Sequence, residues 1–337
     1  MARRSKTYNI NEFYGLDNKH SPESLYNANH TKTYLAAAKN VDITSSNQVR
    51  RRDGFTLKDA GEYHSLWASF DLALAVKNNA LVKISDDLDI TTLTDSTFAS
   101  SPLSYADTGA VVYVSDGKAI GKTDGETFEV LAGAGTYDLT DRSLSPANDG
   151  EIYDKPVPGY PIAWMFGRLW CATKDAVFYS RAYEPERFNL MDNYLDMPDV
   201  TMLGCVDDGY YIGTSERVYF VEGGNPNTPT RVNAVCPYGA IKGTCISIDA
   251  SQLYDETLTG KALAFESKRG KVIALNGGRI LEPSAKHVSP DPSDIGSMFL
   301  REYNGESQLV SSLANKDGQG SSMRATDYAE AEIIRKQ

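Results

Sequence analysis

The chain has 337 residues, 41% of them hydrophobic and 23% charged, with a formal net charge of −11. This is the profile of a soluble globular protein with room for one large domain or two ordinary ones, and no run approaches the roughly 20 apolar residues of a membrane span. The acidity argues against a protein whose main task is to grip nucleic acid, which needs clustered Lys and Arg, but not against one that lets nucleic acid pass.

The start, Met1 to Lys6, is basic, yet Thr7–Glu12 is polar where an export signal would carry an apolar stretch. Folding in a cytoplasm is therefore expected. Ser21–Lys39 reads as a helix, with Ser21 as cap and Pro22 at its first position. With the aromatic-bearing Tyr8–Phe13 and the loop-like Gly15–His20, it makes residues 1–39 an arm outside the main body.

A hairpin over Asn40–Leu57 turns near Ser45-Ser46-Asn47. Five segments then share one plan, an apolar run, a tight polar turn and a second apolar run. They are Ala73–Ile84, Val111–Thr123, Leu169–Ser180, Tyr210–Val221 and Lys271–Pro283, and a further hairpin, Met298–Leu313, turns at Asn304-Gly305. Turns such as Asn78-Asn79, Asp116-Gly117 and Asn276-Gly277-Gly278 supply the positive φ that primed hairpins require. The five starts lie 38, 58, 41 and 61 residues apart. Two intervals match the ~40 residues of a four-stranded propeller blade; the longer two imply inserts near 133–160 and 222–262.

The expected fold is therefore all-β: a β-propeller of about five to seven blades over residues 40–320, with an N-terminal arm and loop insertions. A large β-sandwich is the competing architecture. Residues 321–337 form a tail or short helix, since Tyr328, Ala331, Ile333 and Ile334 suit an amphipathic stripe behind Thr326.

No catalytic constellation assembles. Gly121-Lys122-Thr123 resembles the end of a phosphate loop, but Asp116 stands where its first glycine belongs and the segment lies on a hairpin strand. Asp124-Gly125-Glu126-Thr127-Phe128 is one residue short of an Asp-box, a turn-stabilising device. Asp86-Asp87 and Asp207-Asp208 read as solvated turns. Cys171, Cys205, Cys236 and Cys245 are scattered in or beside apolar runs, and the four His show no ligand spacing, so no disulfide framework, metal or cofactor is expected. The aromatic residues Trp164, Phe166, Trp170, Tyr210, Tyr211, Tyr219 and Phe220 read as interblade core rather than a stacking surface for sugars or bases. Arg50-Arg51-Arg52 could face DNA phosphate, an acidic patch of a neighbouring subunit, or carboxylates of the same chain.

Three stretches go beyond generic β patterning. The first runs through Tyr14-Gly15-Leu16-Asp17, Ser21-Pro22, Ala37–Ile43 and Val49–Phe55. The second is Phe178–Asn189, with Tyr179-Ser180 and Glu184-Pro185-Glu186 inside it, and the third is the ending Met323–Arg335. In this order they resemble the arm and hairpin, post-strand and tail signatures of the packaged-DNA stabilisation and tail nozzle proteins of tailed phages. One departure is the single Gly15 where that family often has two glycines; the chain is also shorter than some members.

The resemblance implies a structural virion protein, not an enzyme, assembled in the bacterial host cytoplasm. It would form a ring, a hexamer, below the portal and its adaptor protein, with tail fibre or tail tip proteins as further partners. Such a ring retains packaged DNA and conducts it during ejection without sequence-specific binding or membrane insertion. Candidate inter-subunit or channel contacts are Arg50, Arg51, Arg52, Arg181, Glu184, Glu186 and Arg187. A propeller that binds or processes glycans as a receptor-binding tail protein, and a cytoplasmic peptide-binding scaffold, are the alternatives.

Overall fold

The computed structural model describes residues 12–25, 32–38, 41–44, 46–54, 56–69, 72–94, 98, 102–132, 143–144, 152–228, 231–253, 257–289, 293–303, 306–314 and 330–334. Strand β1 (Glu12–Leu16) pairs in parallel with β2 (Lys32–Leu35). Among the described residues of Ser21–Lys39, where a helix was expected, there is one 3₁₀ turn, Pro22–Ser24, followed by β2. Proline does open that turn, but Thr33 and Tyr34 favour extended backbone, and the ladder offered by β1 takes them. A short hairpin follows, β3 (Val41–Ile43) against β4 (Val49–Arg51).

Five antiparallel blades come next. Blade 1 is β5 (Tyr63–Ala68), β6 (Ala73–Lys77), β7 (Ala80–Ile84) and β8 (Ile90–Thr94). Blade 2 is β9 (Ser104–Asp107), β10 (Val112–Ser115), β11 (Ile120–Thr123) and β12 (Phe128–Ala132). A two-stranded excursion, β13 (Ser143–Leu144) and β14 (Ile152–Tyr153), occupies the first expected insert. Blade 3 is β15 (Ile162–Met165), β16 (Arg168–Ala172), β17 (Val177–Arg181) and β18 (Glu184–Phe188), with β19 (Tyr194–Leu195) also paired to β17. Blade 4 is β20 (Val200–Cys205), β21 (Gly209–Thr214), β22 (Val218–Glu222) and β23 (Arg231–Cys236). Blade 5 is β24 (Ile246–Asp249), β25 (Lys261–Ser267), β26 (Gly270–Ala274) and β27 (Ile280–Leu281). A last sheet joins β28 (Ile295–Tyr303), β29 (Glu306–Ala314) and β30 (Glu330–Ile334).

The chain is thus a five-bladed propeller, and three expectations change. The second expected insert, 222–262, holds the outer strand of blade 4 and the first strand of blade 5, so it is part of the repeat. The fifth hairpin read from the sequence joins the third and fourth strands of its blade, whereas the other four join the second and third. At the C-terminus, residues 330–334 are a strand added to β29, not a helix; the β-branched pair Ile333-Ile334 loses little in extended backbone. Tyr8, Phe55, the Asn304-Gly305 turn and most of the last motif lie outside the described residues.

The hairpins form because their turns can reverse the chain in two residues. Asn78 and Asn79 hold φ of 49° and 69°, the left-handed values of a primed turn. The core then divides between neighbours. Leu74, Val76 and Phe98 of the first blade region meet Val112 and Val114 of blade 2. Tyr113 and Ile120 meet Leu169 and Cys171; Trp170 and Tyr179 meet Tyr210 and Ile212; Tyr211 and Phe220 meet Phe265 and Val272. Ile273 and Leu275 of blade 5 pack in the same way on Met298 and Leu309 of the last sheet. Of the aromatics read as interblade core, Trp170, Tyr210, Tyr211 and Phe220 are each no more than 2% exposed and fit that reading, whereas Trp164, Phe166 and Tyr219 are half-buried.

Hydrogen bonds lock the seams. Tyr105 donates from its hydroxyl to the Ser65 carbonyl at 2.7 Å, and Ser104 Oγ accepts the Ile162 amide at 2.9 Å. Asp207 and Asp208 are not idle turn residues: Asp207 Oδ2 accepts the Lys261 amide at 2.9 Å, and Asp208 Oδ2 accepts the Gly277 amide at 2.7 Å, tying blade 4 to blade 5. Asp124 accepts the Glu126 and Thr127 amides within its own turn, the structural role expected of it.

All four cysteines are free thiols. Burial pushes every one upward in pKa, Cys236 to about 11, Cys245 to about 12 and Cys171 further still. Since the thiolate is the reactive form, Cys171, Cys236 and Cys245 should resist Ellman's reagent in the native protein at about pH 8. All four should react once it is unfolded in guanidinium. Rapid native labelling of any of those three would contradict the packing described.

Candidate functional site

Two clusters of polar side chains stand out. The first joins the N-terminal arm to the end of the propeller. Asp17, just after β1, is 3% exposed. Its Oδ1 accepts the backbone amides of Lys19 at 3.2 Å and His20 at 3.0 Å. Its Oδ2 faces two imidazoles, His20 Nδ1 at 2.9 Å and His287 Nδ1 at 2.8 Å. Burial alone would raise the Asp17 pKa, but these hydrogen bonds outweigh it and hold the carboxyl at about 2, so it is ionised.

The surrounding bonds make this a clasp. The Asn18 amide donates to the His287 carbonyl at 3.0 Å, and the Asn18 side chain exchanges bonds of 3.0 and 2.7 Å with the Ser289 backbone. Lys19 Nζ reaches the Ala285 carbonyl at 2.5 Å. Tyr34 of β2 stacks on His287 with centroids 4.6 Å apart and planes 17° from parallel. Among the described residues, Asp17, His20 and His287 are the one convergent group of three His, Cys, Asp or Glu side chains. No ligand spacing was visible because His20 and His287 lie at opposite ends of the chain. The local signal was limited to Asp17 and His20, three residues apart.

The second cluster contains four of the sequence candidates. Arg181 and Glu184 flank the β17–β18 turn, their closest side-chain atoms 3.4 Å apart, and Arg187 donates to Glu184 Oε1 at 3.0 Å. Both arginines lie over the Tyr153 ring, 5.8 and 5.2 Å from its centroid, and Arg181 donates to the Tyr153 hydroxyl. The group therefore anchors β14, the excursion strand, to blade 3. Glu186 turns the other way and receives Lys122 at 2.6 Å and the Tyr113 hydroxyl at 3.1 Å, sealing blade 2 to blade 3.

The three consecutive arginines sit apart from that group, on the β3–β4 hairpin. Arg52 donates to Asp42 at 2.8 Å, and Arg301 of β28 approaches the other oxygen of Asp42 at 3.5 Å. Arg50 bonds Asp53 at 2.8 Å, and Arg51 is exposed. Of the readings left open for this run, pairing with carboxylates of the same chain describes Arg50 and Arg52. Near blade 1 an open groove of about 560 Å³ is lined by Lys58, Asp59, Lys77, Asn78 and Leu88 among others, and Lys77 and Asp59 pair across 2.6 Å.

No family model matches this sequence, and no curated protein matches it. Solved structures share its form at low identity. The extracellular domain of the one component system BT4673 from B. thetaiotaomicron is 11% identical, with a TM-score of 0.46 over 93% of this chain; the match spans 44% of that longer chain. The N-terminal domain of Nup159 is 11% identical, covering 81% of this chain and 86% of that one, with a TM-score of 0.44. Hsv2 of Kluyveromyces lactis is 10% identical, covering 80% and 82%, with a TM-score of 0.42. These are likenesses of form and carry no function.

Proposed function

We propose that this chain is a structural subunit of a tailed-phage tail, a nozzle ring below the portal and adaptor that holds packaged DNA and forms the channel for its ejection. The observation that carries the reading is the order of the three motifs along a chain that folds as a propeller. The first motif supplies the arm and the β3–β4 hairpin, and the second supplies the β17–β18 hairpin. In both, the distinctive charged residues act as fasteners: Arg52 on Asp42, Glu186 on Lys122, Arg181 and Arg187 on Glu184 and Tyr153. A net charge of −11 suits a wall past which a polyanion slides, because repulsion prevents sticking. Exposed Arg51 is left for a protein contact between subunits.

The test is imaging of the purified full chain by electron microscopy together with mass spectrometry of virions. The expected result is a closed ring with a channel wide enough for duplex DNA, and the chain present in particles. A monomer that binds or cleaves surface glycans would favour the receptor-binding alternative, and absence from virions would remove a tail role. Retention of duplex DNA at physiological salt would also count against a conducting wall, since phosphate binding is what such a wall avoids.

A further inference from the structure

We propose that Asp17, His20 and His287 form a binding site for a divalent transition metal, Zn²⁺ by preference, which fastens the N-terminal arm to the segment after blade 5. The inference stands apart from the phage reading and rests on the geometry of the clasp alone.

Three donor atoms converge, one from each side chain, all within 4.8 Å of one another. Two imidazoles and one carboxylate are the donor set of zinc sites with three protein ligands and a fourth position for water. Oxygen-only cations such as Mg²⁺ and Ca²⁺ prefer carboxylates and carbonyls, so two ring nitrogens select against them. An ion at about 2.1 Å from each donor places tetrahedral ligands about 3.4 Å apart. The present separations from Asp17 Oδ2 are 2.9 and 2.8 Å. These two gaps must widen by roughly half an ångström while the two ring nitrogens, within 4.8 Å of each other, settle to the same spacing. His20, with a side chain 55% exposed, has the freedom to make that adjustment. That exposure also leaves the fourth position open to solvent.

The supporting contacts resemble those around a metal ligand. Asp17 Oδ1 is fixed by two backbone amides, His20 Nδ1 is shared between Oδ1 at 3.0 Å and Oδ2 at 2.9 Å, and Oδ2 alone faces His287, so the carboxylate is held in place with Oδ2 directed at both rings. His287 is oriented by stacking on Tyr34, and its backbone carbonyl is held by the Asn18 amide. Without metal, an ionised carboxylate only accepts, so both rings present Nδ1–H to it. With metal, each ring turns its Nδ1 lone pair to the ion and carries the proton on Nε2.

The experiment uses the full chain, tag-free, stripped with a chelator and titrated with ZnCl₂ in a calorimeter, with MgCl₂ and CaCl₂ as controls. One Zn²⁺ per chain is expected, with no heat from Mg²⁺ or Ca²⁺, and Co²⁺ should give visible d–d bands of a four- or five-coordinate site. His20→Ala and His287→Ala should each weaken Zn²⁺ binding at least tenfold, about the lower end of what even an outer-shell change costs. His64→Ala, half-buried on blade 1, should leave it unchanged. Zn²⁺ should also slow tryptic cleavage after Lys19 in the parent chain and not in the variants. His20 is exposed, so its replacement leaves the core intact and keeps the test valid if His287→Ala folds poorly. No Zn²⁺ or Co²⁺ binding by the folded parent, or binding that survives both His replacements, overturns the proposal and leaves a hydrogen-bonded clasp.

Discussion

Replacing Trp170 with Ala should cost about 3–5 kcal/mol of unfolding free energy, the range for emptying a large aromatic site in a packed core. Trp170 is fully buried between blades 3 and 4, with ring centroids 5.0 Å from both Tyr179 and Tyr210. Its indole N–H donates to the Met165 carbonyl at 3.2 Å, so truncation opens a cavity and also strips a buried acceptor of its donor. For a chain of this length unfolding as one unit, that corresponds to a fall of about 4–7 °C in Tm. Leu66→Ala is the control: its side chain is 74% exposed, and a change of no more than about 0.5 kcal/mol is expected. Circular dichroism melts of both variants measure the difference. Equal stability of the two would mean that the blade 3–blade 4 seam is not packed as described.

The second large effect concerns Glu266 and Lys271, which face each other across β25 and β26 and are 1% and 3% exposed. Their charged atoms lie 3.7 Å apart. The cost of taking two charges out of water is offset in part by their mutual attraction, so removing one strips the other of that compensation in a low-dielectric interior. Glu266→Leu or Lys271→Met alone should each lose roughly 3–5 kcal/mol. The double variant, with two apolar side chains of similar volume, should lose far less than the sum. Denaturant melts of the four proteins close the cycle, and the double variant is expected to fall short of the sum of the single losses by several kcal/mol. Strictly additive losses would show that the two charges do not depend on each other.

The hairpins were legible because their chemistry is local. Asn78-Asn79 and Asp116-Gly117 announce reversal without any knowledge of the rest of the chain, and both sit at turns in the fold. Blade 5 was misphased by one strand for the same reason. The β25–β26 turn runs from Ser267 to Gly270 through Lys268 and Arg269, a weak signal, while the next reversal carries Asn276-Gly277-Gly278. The two lost helices show a different limit. Ser21-Pro22 and the Ile333-Ile334 stripe satisfy helix rules over a few residues, but the open edge of an upstream strand, β1 or β29, claims part of each segment, and a window of a few residues does not contain that strand. The clasp was invisible for the most basic reason. Nothing in the pattern around His20 refers to His287, and the same is true of Glu186 and Lys122.

The clasp also sets a clock. Residues 17–20 leave the ribosome some 270 residues ahead of their partners at 285–289, which emerge only after the five blades have been made. At about 5–20 residues per second, the arm waits roughly 15–50 s for its partner segment. During that interval each new blade can pack on the one before it, since every core cluster is shared between neighbours. The arm must stay undocked meanwhile, and its closure cannot precede the emergence of the residues that follow the last blade. A docked arm is thus a record that the chain has been read through to that point, and truncated chains ending before His287 would carry the arm loose.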